Sequence, residues 1–172
     1  EPTCVLATTF HDFMGNPSFK GPWGIADGTG NMDVETSCHA MVTFKSGQCL
    51  TIRNSWAEMN EREEVSVTFQ GKRAGGTVQR LFQRDGYDET SLDRAVLFTE
   101  EYGHQVNRHI ITEKDETMGR VANAMNFVES IAEGKKPMNT VEEAIILMRI
   151  TDAIYRSSET GAPVQFTKGE PV

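Results

Sequence analysis

Four histidines, three cysteines and a tryptophan set among amides are the side chains of this sequence best suited to chemistry. Imidazole serves as metal ligand and as acid or base near neutral pH. Yet His11, His39, His104 and His109 include no pair four residues apart on a helix and no Cys/His ligand spacing, so no metal site is expected. His11-Asp12 has the composition of an acid–base pair. Adjacent residues on a strand point to opposite faces, however, and solvated loop residues are the favoured reading. Cys4, Cys38 and Cys49 are odd in number and none is spaced as a metal or redox pair, which fits buried thiols in a reducing, cytoplasmic compartment. The acidic run Glu61, Glu63 and Glu64 reads as a solvated face. Gly71 to Gly76 lacks the G-x-G-x-x-G spacing and leads into a strand-like stretch, so it reads as a hairpin turn and not a phosphate cradle. No nucleophile elbow, Walker motif, Ser/Lys pair or catalytic cysteine signature is present. More promising is Asn54-Ser55-Trp56-Ala57-Glu58-Met59-Asn60, where a strand ends on an aromatic ring and the chain turns polar. Sugar clefts place polar groups around an aromatic face in this way. Trp56 equally suits a core position or a subunit interface, and both readings stay open.

The frame that must hold these residues is 172 residues long, 38% apolar and 24% charged, which suits one globular domain with a core of its own. The formal charge of −8 argues against nucleic acid and anionic membrane as partners. No apolar run is long enough to cross a bilayer, and no leader-like segment precedes the first strand. The start at Glu1, without an initiator Met and almost directly in an apolar run, is what a cloned or proteolytic fragment gives.

Strand signals dominate the first two-thirds. Val5 to Phe10 reads as a first strand. Phe13 to Asn31 holds five glycines and two prolines in nineteen residues and reads as a long loop, of a length that is usually functional or disordered. Val34 to Phe44 alternates, with Val34, Thr36, Cys38, Ala40, Val42 and Phe44 on one face. A loop at Ser46 to Gln48 then pairs Phe44 with Leu50, and Leu50, Ile52, Asn54 and Trp56 continue the alternation. Val65 to Phe69, Thr77 to Phe82, Ala95 to Thr99 and Gln105 to Ile111 complete the strands. From Asp115 the period becomes helical: Met118, Val121, Met125, Val128 and Ala132 form one stripe, ended by Gly134. After Pro137, Thr140 and Glu143 form a capping box for a second helix that is apolar over much of its girth, which predicts burial on two sides. Gly161 ends it and Pro163 to Phe166 exits extended. The class is α+β: an open, mainly antiparallel sheet with helices on one face, ending in a helical hairpin.

Several segments together carry a resemblance. They are Asp33-Val34-Glu35-Thr36, Thr43-Phe44-Lys45-Ser46-Gly47, Asn54-Ser55-Trp56-Ala57 with Asn60, and Gln70 to Gly76. Asn126-Phe127-Val128-Glu129 with Gly134 and Pro137 follows, then Asp152 to Ser157 with Glu159-Thr160-Gly161. In this order the chain resembles the C-terminal domain of the glucose-fructose oxidoreductase / inositol dehydrogenase / rhizopine-catabolism family. The resemblance implies that residues 1–172 are a substrate-binding and oligomerisation domain, with the other sheet face making a homo-oligomer contact. It implies an N-terminal Rossmann domain, absent from this sequence, that binds NAD or NADP and carries the catalytic residues. No catalytic, cofactor-binding or metal-binding residue is therefore assigned here. Resemblance and loop position together point to Trp23, Asp27, Trp56, Asn60 and Arg62 as substrate-binding candidates. The implied parent transfers hydride between a dinucleotide and a sugar, cyclitol or related polyol. Two alternatives are a non-catalytic assembly or ligand-binding module and an NAD-dependent glycosidase of the same family.

Overall fold

The computed structural model describes residues 1–13, 33–61, 63–81, 92–111, 117 and 119–166. Among them the elements run β1 (Pro2–Phe10), β2 (Ser37–Phe44), β3 (Cys49–Ser55), β4 (Glu64–Gln70), β5 (Gly75–Leu81), β6 (Leu92–Glu101), β7 (His104–Ile110), α1 (Arg120–Glu133), α2 (Val141–Thr160) and β8 (Val164–Gln165). The α+β class holds, and the strands form two four-stranded antiparallel sheets, β3-β2-β1-β8 and β4-β5-β6-β7. They belong to two compact units, Glu1–Glu58 with Ala122–Val172, and Met59–Val121.

In the first unit the period-2 pattern of β1 and β2 places Val5, Ala7, Cys38, Ala40 and Val42 on one sheet face. α2 lies across that face and contributes Ile150, Ala153 and Ile154, with Phe44, Ile52, Ile146, Val164 and Phe166 packed around them. Val5 and Val42 are fully buried, each contributing about 1.5–3 kcal/mol by removal from water. α2 begins where the capping box predicts. Thr140 is extended and its Oγ1 accepts from the Glu143 N–H at 3.3 Å, while the Glu143 carboxylate accepts from the Thr140 N–H at 3.0 Å. It ends at Gly161 in the left-handed region.

The strand β8 is only two residues long and pairs with Cys4 and Val5 alone. Further along that edge of β1, helix serines replace a strand. The Ala7 N–H donates to Ser157 Oγ and the Thr9 N–H to Ser158 Oγ, both at 2.9 Å. Ser157 Oγ in turn donates to the Ala162 carbonyl at 2.8 Å, just past the helix end.

The β2–β3 hairpin differs from the sequence expectation by two register steps. Thr43 pairs with Cys49 and Val42 with Leu50. Phe44 closes on Gln48, so the three-residue loop is Lys45 to Gly47. The cause is Gly47: it adopts φ +90°, and the positive-φ residue of a three-residue hairpin loop comes last. A two-step shift leaves every side chain on its expected face.

α1 also departs from expectation. Its apolar stripe is present, but its one buried residue is Ser130. At about 100° per residue, Met125 and Val128 lie about 140–160° around the helix from Ser130. The stripe therefore points away from the body of the unit.

The second unit is a meander. The Gly71 to Gly76 run makes the β4–β5 hairpin, as expected, with Gln70 opposite Gly75. Gly76 faces Phe69, and a Cβ there would meet the Phe69 ring at 2.7 Å and the Val96 carbonyl at 2.9 Å. Glycine is needed because the ring lies over it. The β6–β7 turn is the two-residue loop Tyr102-Gly103, with φ of 52° and 79°. Both residues have the positive φ of a type I′ turn.

Candidate functional site

Of the five substrate-binding candidates, Trp23, Asp27 and Arg62 lie outside the described residues. Trp56 and Asn60 are described and exposed, and they belong to different units.

Trp56 follows the last residue of β3. Ser55 ends the strand: its Oγ donates to the Thr36 carbonyl at 3.0 Å and accepts from the Ala57 N–H at 3.1 Å. The Trp56 N–H donates to the same Thr36 carbonyl, and its indole Nε1–H donates to the Glu35 carbonyl at 2.6 Å. Thr36 is itself fixed to the end of β1, with its N–H at 2.7 Å and its Oγ1 at 2.9 Å from the Phe10 carbonyl oxygen. Arg53 closes the corner by pairing with Glu58 at 2.6 Å. The indole N–H is thus spent on the backbone, and what Trp56 presents outward is ring face, 41% exposed. Half-exposed at a sheet corner, Trp56 is not a core residue.

Two further residues join this corner that sequence reasoning had not singled out for chemistry. The Tyr155 hydroxyl, from the side of α2 turned away from the sheet, donates to Glu35 Oε2 at 2.7 Å. That hydrogen bond, with partial burial and the charge on Glu35, holds the phenol above its ordinary pKa. Burial first, and Glu35 second, push the Cys38 thiol up as well. Glu35 therefore joins β2, β3 and α2 through one backbone carbonyl and one carboxylate. The only sequence hint was Tyr155 falling on the outward side of the helix, where a phenol takes a polar partner. The combination of an aromatic face, a phenol and a carboxylate suits a polyhydroxyl ligand: the ring covers C–H groups and the oxygens pair with hydroxyls.

The remaining sequence candidates resolve simply. His11 and Asp12 are exposed just past β1. His39 sits on the sheet face opposite α2, with its ring edge-on to Phe10 at 6.0 Å. Cys38 is buried in the core and Cys49 exposed. Among the described residues no group of three His, Cys, Asp or Glu converges on a metal position. No helix among them is long and apolar enough to cross a membrane.

This fold has relatives. D-glucoside 3-dehydrogenase of Escherichia coli (strain K12) is 27% identical over 166 residues, covering 94% of this chain and 42% of that protein. An oxidoreductase domain protein from Kribbella flavida superposes with a TM-score of 0.70 at 14% identity, over 98% of this chain and 45% of its own. Levoglucosan dehydrogenase in complex with NADH and L-sorbose gives 0.69 at 15% identity, over 97% and 45% respectively. At such identities the two structures speak for the fold, and the chain spans less than half the length of these relatives. Residues 3–166 match the family described as "Oxidoreductase family, C-terminal alpha/beta domain", and the chain thus belongs to the glucose-fructose oxidoreductase / inositol dehydrogenase / rhizopine-catabolism family as its C-terminal domain.

Proposed function

We propose that this chain is the substrate-side and assembly half of an NAD(P)-dependent oxidoreductase acting on a sugar, cyclitol or related polyol by hydride transfer. The observation that carries the reading is the match along 94% of the chain to a dehydrogenase whose name specifies a glucoside. The exposed ring of Trp56 beside the Tyr155–Glu35 pair is consistent with it.

The described residues do not fit a dinucleotide. Their glycine run is a hairpin between two strands, and the capping box occupies the Glu143 amide in the first turn of α2. Nicotinamide supplies hydride chemistry wherever it is bound. On this reading the domain before residue 1 binds NAD or NADP, and the whole works in the cytoplasm. This chain contributes substrate-side contacts: Trp56 by ring contact in the first unit, with Asn60, Trp23, Asp27 and Arg62 as the further candidates. Assembly falls to the second unit, where Val65, Val67, Phe69, Val78 and Ile110 share one face of the sheet and are all exposed. A contiguous apolar face of this kind suits a two-fold contact between copies.

The test is made on the full-length polypeptide. Sugars and cyclitols are screened for reduction of NAD and NADP, with Trp56→Ala, Asn60→Ala and Arg62→Ala compared on the best substrate. The expected result is turnover on a polyol with KM raised in the variants and dinucleotide affinity unchanged. Absence of dinucleotide binding by the full-length protein would sink the reading. Light scattering on Val67→Glu tests assembly, and an unchanged mass counts against the sheet contact.

A further inference from the structure

Both N–H groups of Trp56 end on one dipeptide, Glu35-Thr36, which lies just before β2 and outside the strand. The backbone N–H donates to the Thr36 carbonyl at 3.1 Å and the indole Nε1–H to the Glu35 carbonyl at 2.6 Å. The dipeptide is in turn fixed from two sides. Thr36, buried, is tied to the end of β1 through the Phe10 carbonyl. Glu35, half-buried, is tied to α2 by the Tyr155 hydroxyl on Oε2 at 2.7 Å. Among the described residues the Glu35 side chain has no other hydrogen-bond partner. A tryptophan side chain turns about two torsions and carries a single polar group, its indole N–H. A bond from that group to a fixed carbonyl selects one setting of the ring. Where the Glu35 carbonyl stands therefore decides how the Trp56 ring is presented.

We propose that Tyr155 is a positioning residue for Trp56: acting through Glu35, it holds the indole ring in the setting that meets a polyol substrate. This rests on the reading of Trp56 as a substrate contact. Two observations favour positioning over a general bracing of the helix. α2 is already docked by Ile150, Ala153 and Ile154 in the core and by Ser157 and Ser158 on β1, so its seat does not depend on the phenol. Tyr155 is 41% exposed, so its ring adds little burial. What the phenol adds is direction. A hydrogen bond to a carboxylate is charge-assisted and short, and it fixes the orientation of the residue that receives it. That residue is the one whose carbonyl the indole N–H reaches.

The indole N–H itself is the reporter. The full-length polypeptide is labelled with 15N-tryptophan, and the Trp56 indole signal is identified by its loss in Trp56→Phe. Tyr155→Phe is expected to shift that signal and to speed its exchange with solvent about 2–12-fold, the factor that one ordinary hydrogen bond is worth. KM for a polyol substrate is expected to rise by a similar factor with kcat unchanged. Glu35→Gln keeps an acceptor for the phenol and should stay near the wild type in both measurements. Glu35→Ala should match Tyr155→Phe, and the double variant should be no worse than either single one, because both break the same bond. The Ala7 amide, held by Ser157 on the same helix, is the control and should exchange at its wild-type rate. Unchanged indole exchange in Tyr155→Phe overturns the proposal. So does equal acceleration at Ala7, which marks a loosened helix, and so do additive effects in the double variant. The exchange measurement needs neither substrate nor dinucleotide, so an unchanged indole signal in an active enzyme refutes the positioning role alone. Faster indole exchange with KM unchanged overturns the proposal where Trp56→Ala raises KM. Where Trp56→Ala also leaves KM unchanged, the substrate role of Trp56 falls and the proposal falls with it.

Discussion

Ser157→Ala removes one oxygen atom from the join between α2 and β1, and its cost can be worked from two hydrogen bonds. Ser157 is fully buried, accepts from the Ala7 N–H and donates to the Ala162 carbonyl. Alanine leaves the Ala7 N–H on a buried strand with no acceptor, a loss of about 1–3 kcal/mol. The space freed by one oxygen is too small to admit a water. Ala162 lies at an exposed turn where its carbonyl can turn to solvent, so that bond costs only its ordinary net value, about 0.5–1.5 kcal/mol. The sum is about 1.5–4.5 kcal/mol, a large share of the usual 5–15 kcal/mol for a domain. Ser158 provides the internal control. It holds the Thr9 N–H at the same distance but is partly exposed, so water replaces it and Ser158→Ala costs about 0.5–1.5 kcal/mol. Urea unfolding followed by circular dichroism checks the contrast. With a slope of about 1–3 kcal/mol per molar, a 3 kcal/mol loss moves the midpoint by about 1–3 M. Amide exchange at Ala7 should accelerate in the first variant and not in the second. Equal midpoint shifts for the two variants would refute the reasoning.

Three other perturbations test different links. Gly76→Ala should cost about 1–3 kcal/mol in urea unfolding, because the new methyl meets both the Phe69 ring and the Val96 carbonyl. Adding Phe69→Ala should recover only part, since the carbonyl remains. Tyr102→Asn should raise stability by about 0.5–1 kcal/mol in thermal unfolding, asparagine being easier to hold at positive φ in this turn. The phenol of Tyr155 titrates higher in the folded chain than its unfolded value of about 10, so its bond to Glu35 contributes stability fully below that value. The contribution disappears as pH rises through the raised folded pKa, and Tyr155→Phe should remove that alkaline loss while leaving the rest of the profile in place.

What the sequence revealed was what neighbouring residues decide among themselves. The Thr140–Glu143 box, the Gly161 stop and the glycine-rich hairpin are each settled within a few residues, and each stands where local chemistry puts it. The β2–β3 register was off by two because the choice between two three-residue loops turns on the φ of one glycine, which hydrophobic alternation does not sense. The α1 stripe was legible as a stripe, but which way it faces depends on partners far away in the sequence. At the Trp56 corner, the aromatic and its polar surroundings could be read directly. The bonds of Glu35 to Trp56 and Tyr155 join positions 21 and 120 residues apart, and only the fold brings them together. Ser157 looked like any serine in the last turns of a helix, because its partner Ala7 is 150 residues away.

The short β8 has a bearing on how the protein behaves when crowded. An uncovered strand edge is a template on which the strands of other molecules can polymerise. Past Val5, β1 would present such an edge, and a longer final strand would close it only by offering a new edge of its own. Ser157 and Ser158 instead occupy the Ala7 and Thr9 donors from a helix, which has no backbone groups free to extend a ladder. An invading strand would have to lift α2 off the hydrophobic core to reach them. Resistance to aggregation along this edge is therefore tied to the stability of the core, and variants that loosen α2 should form fibrils or precipitate before they unfold outright.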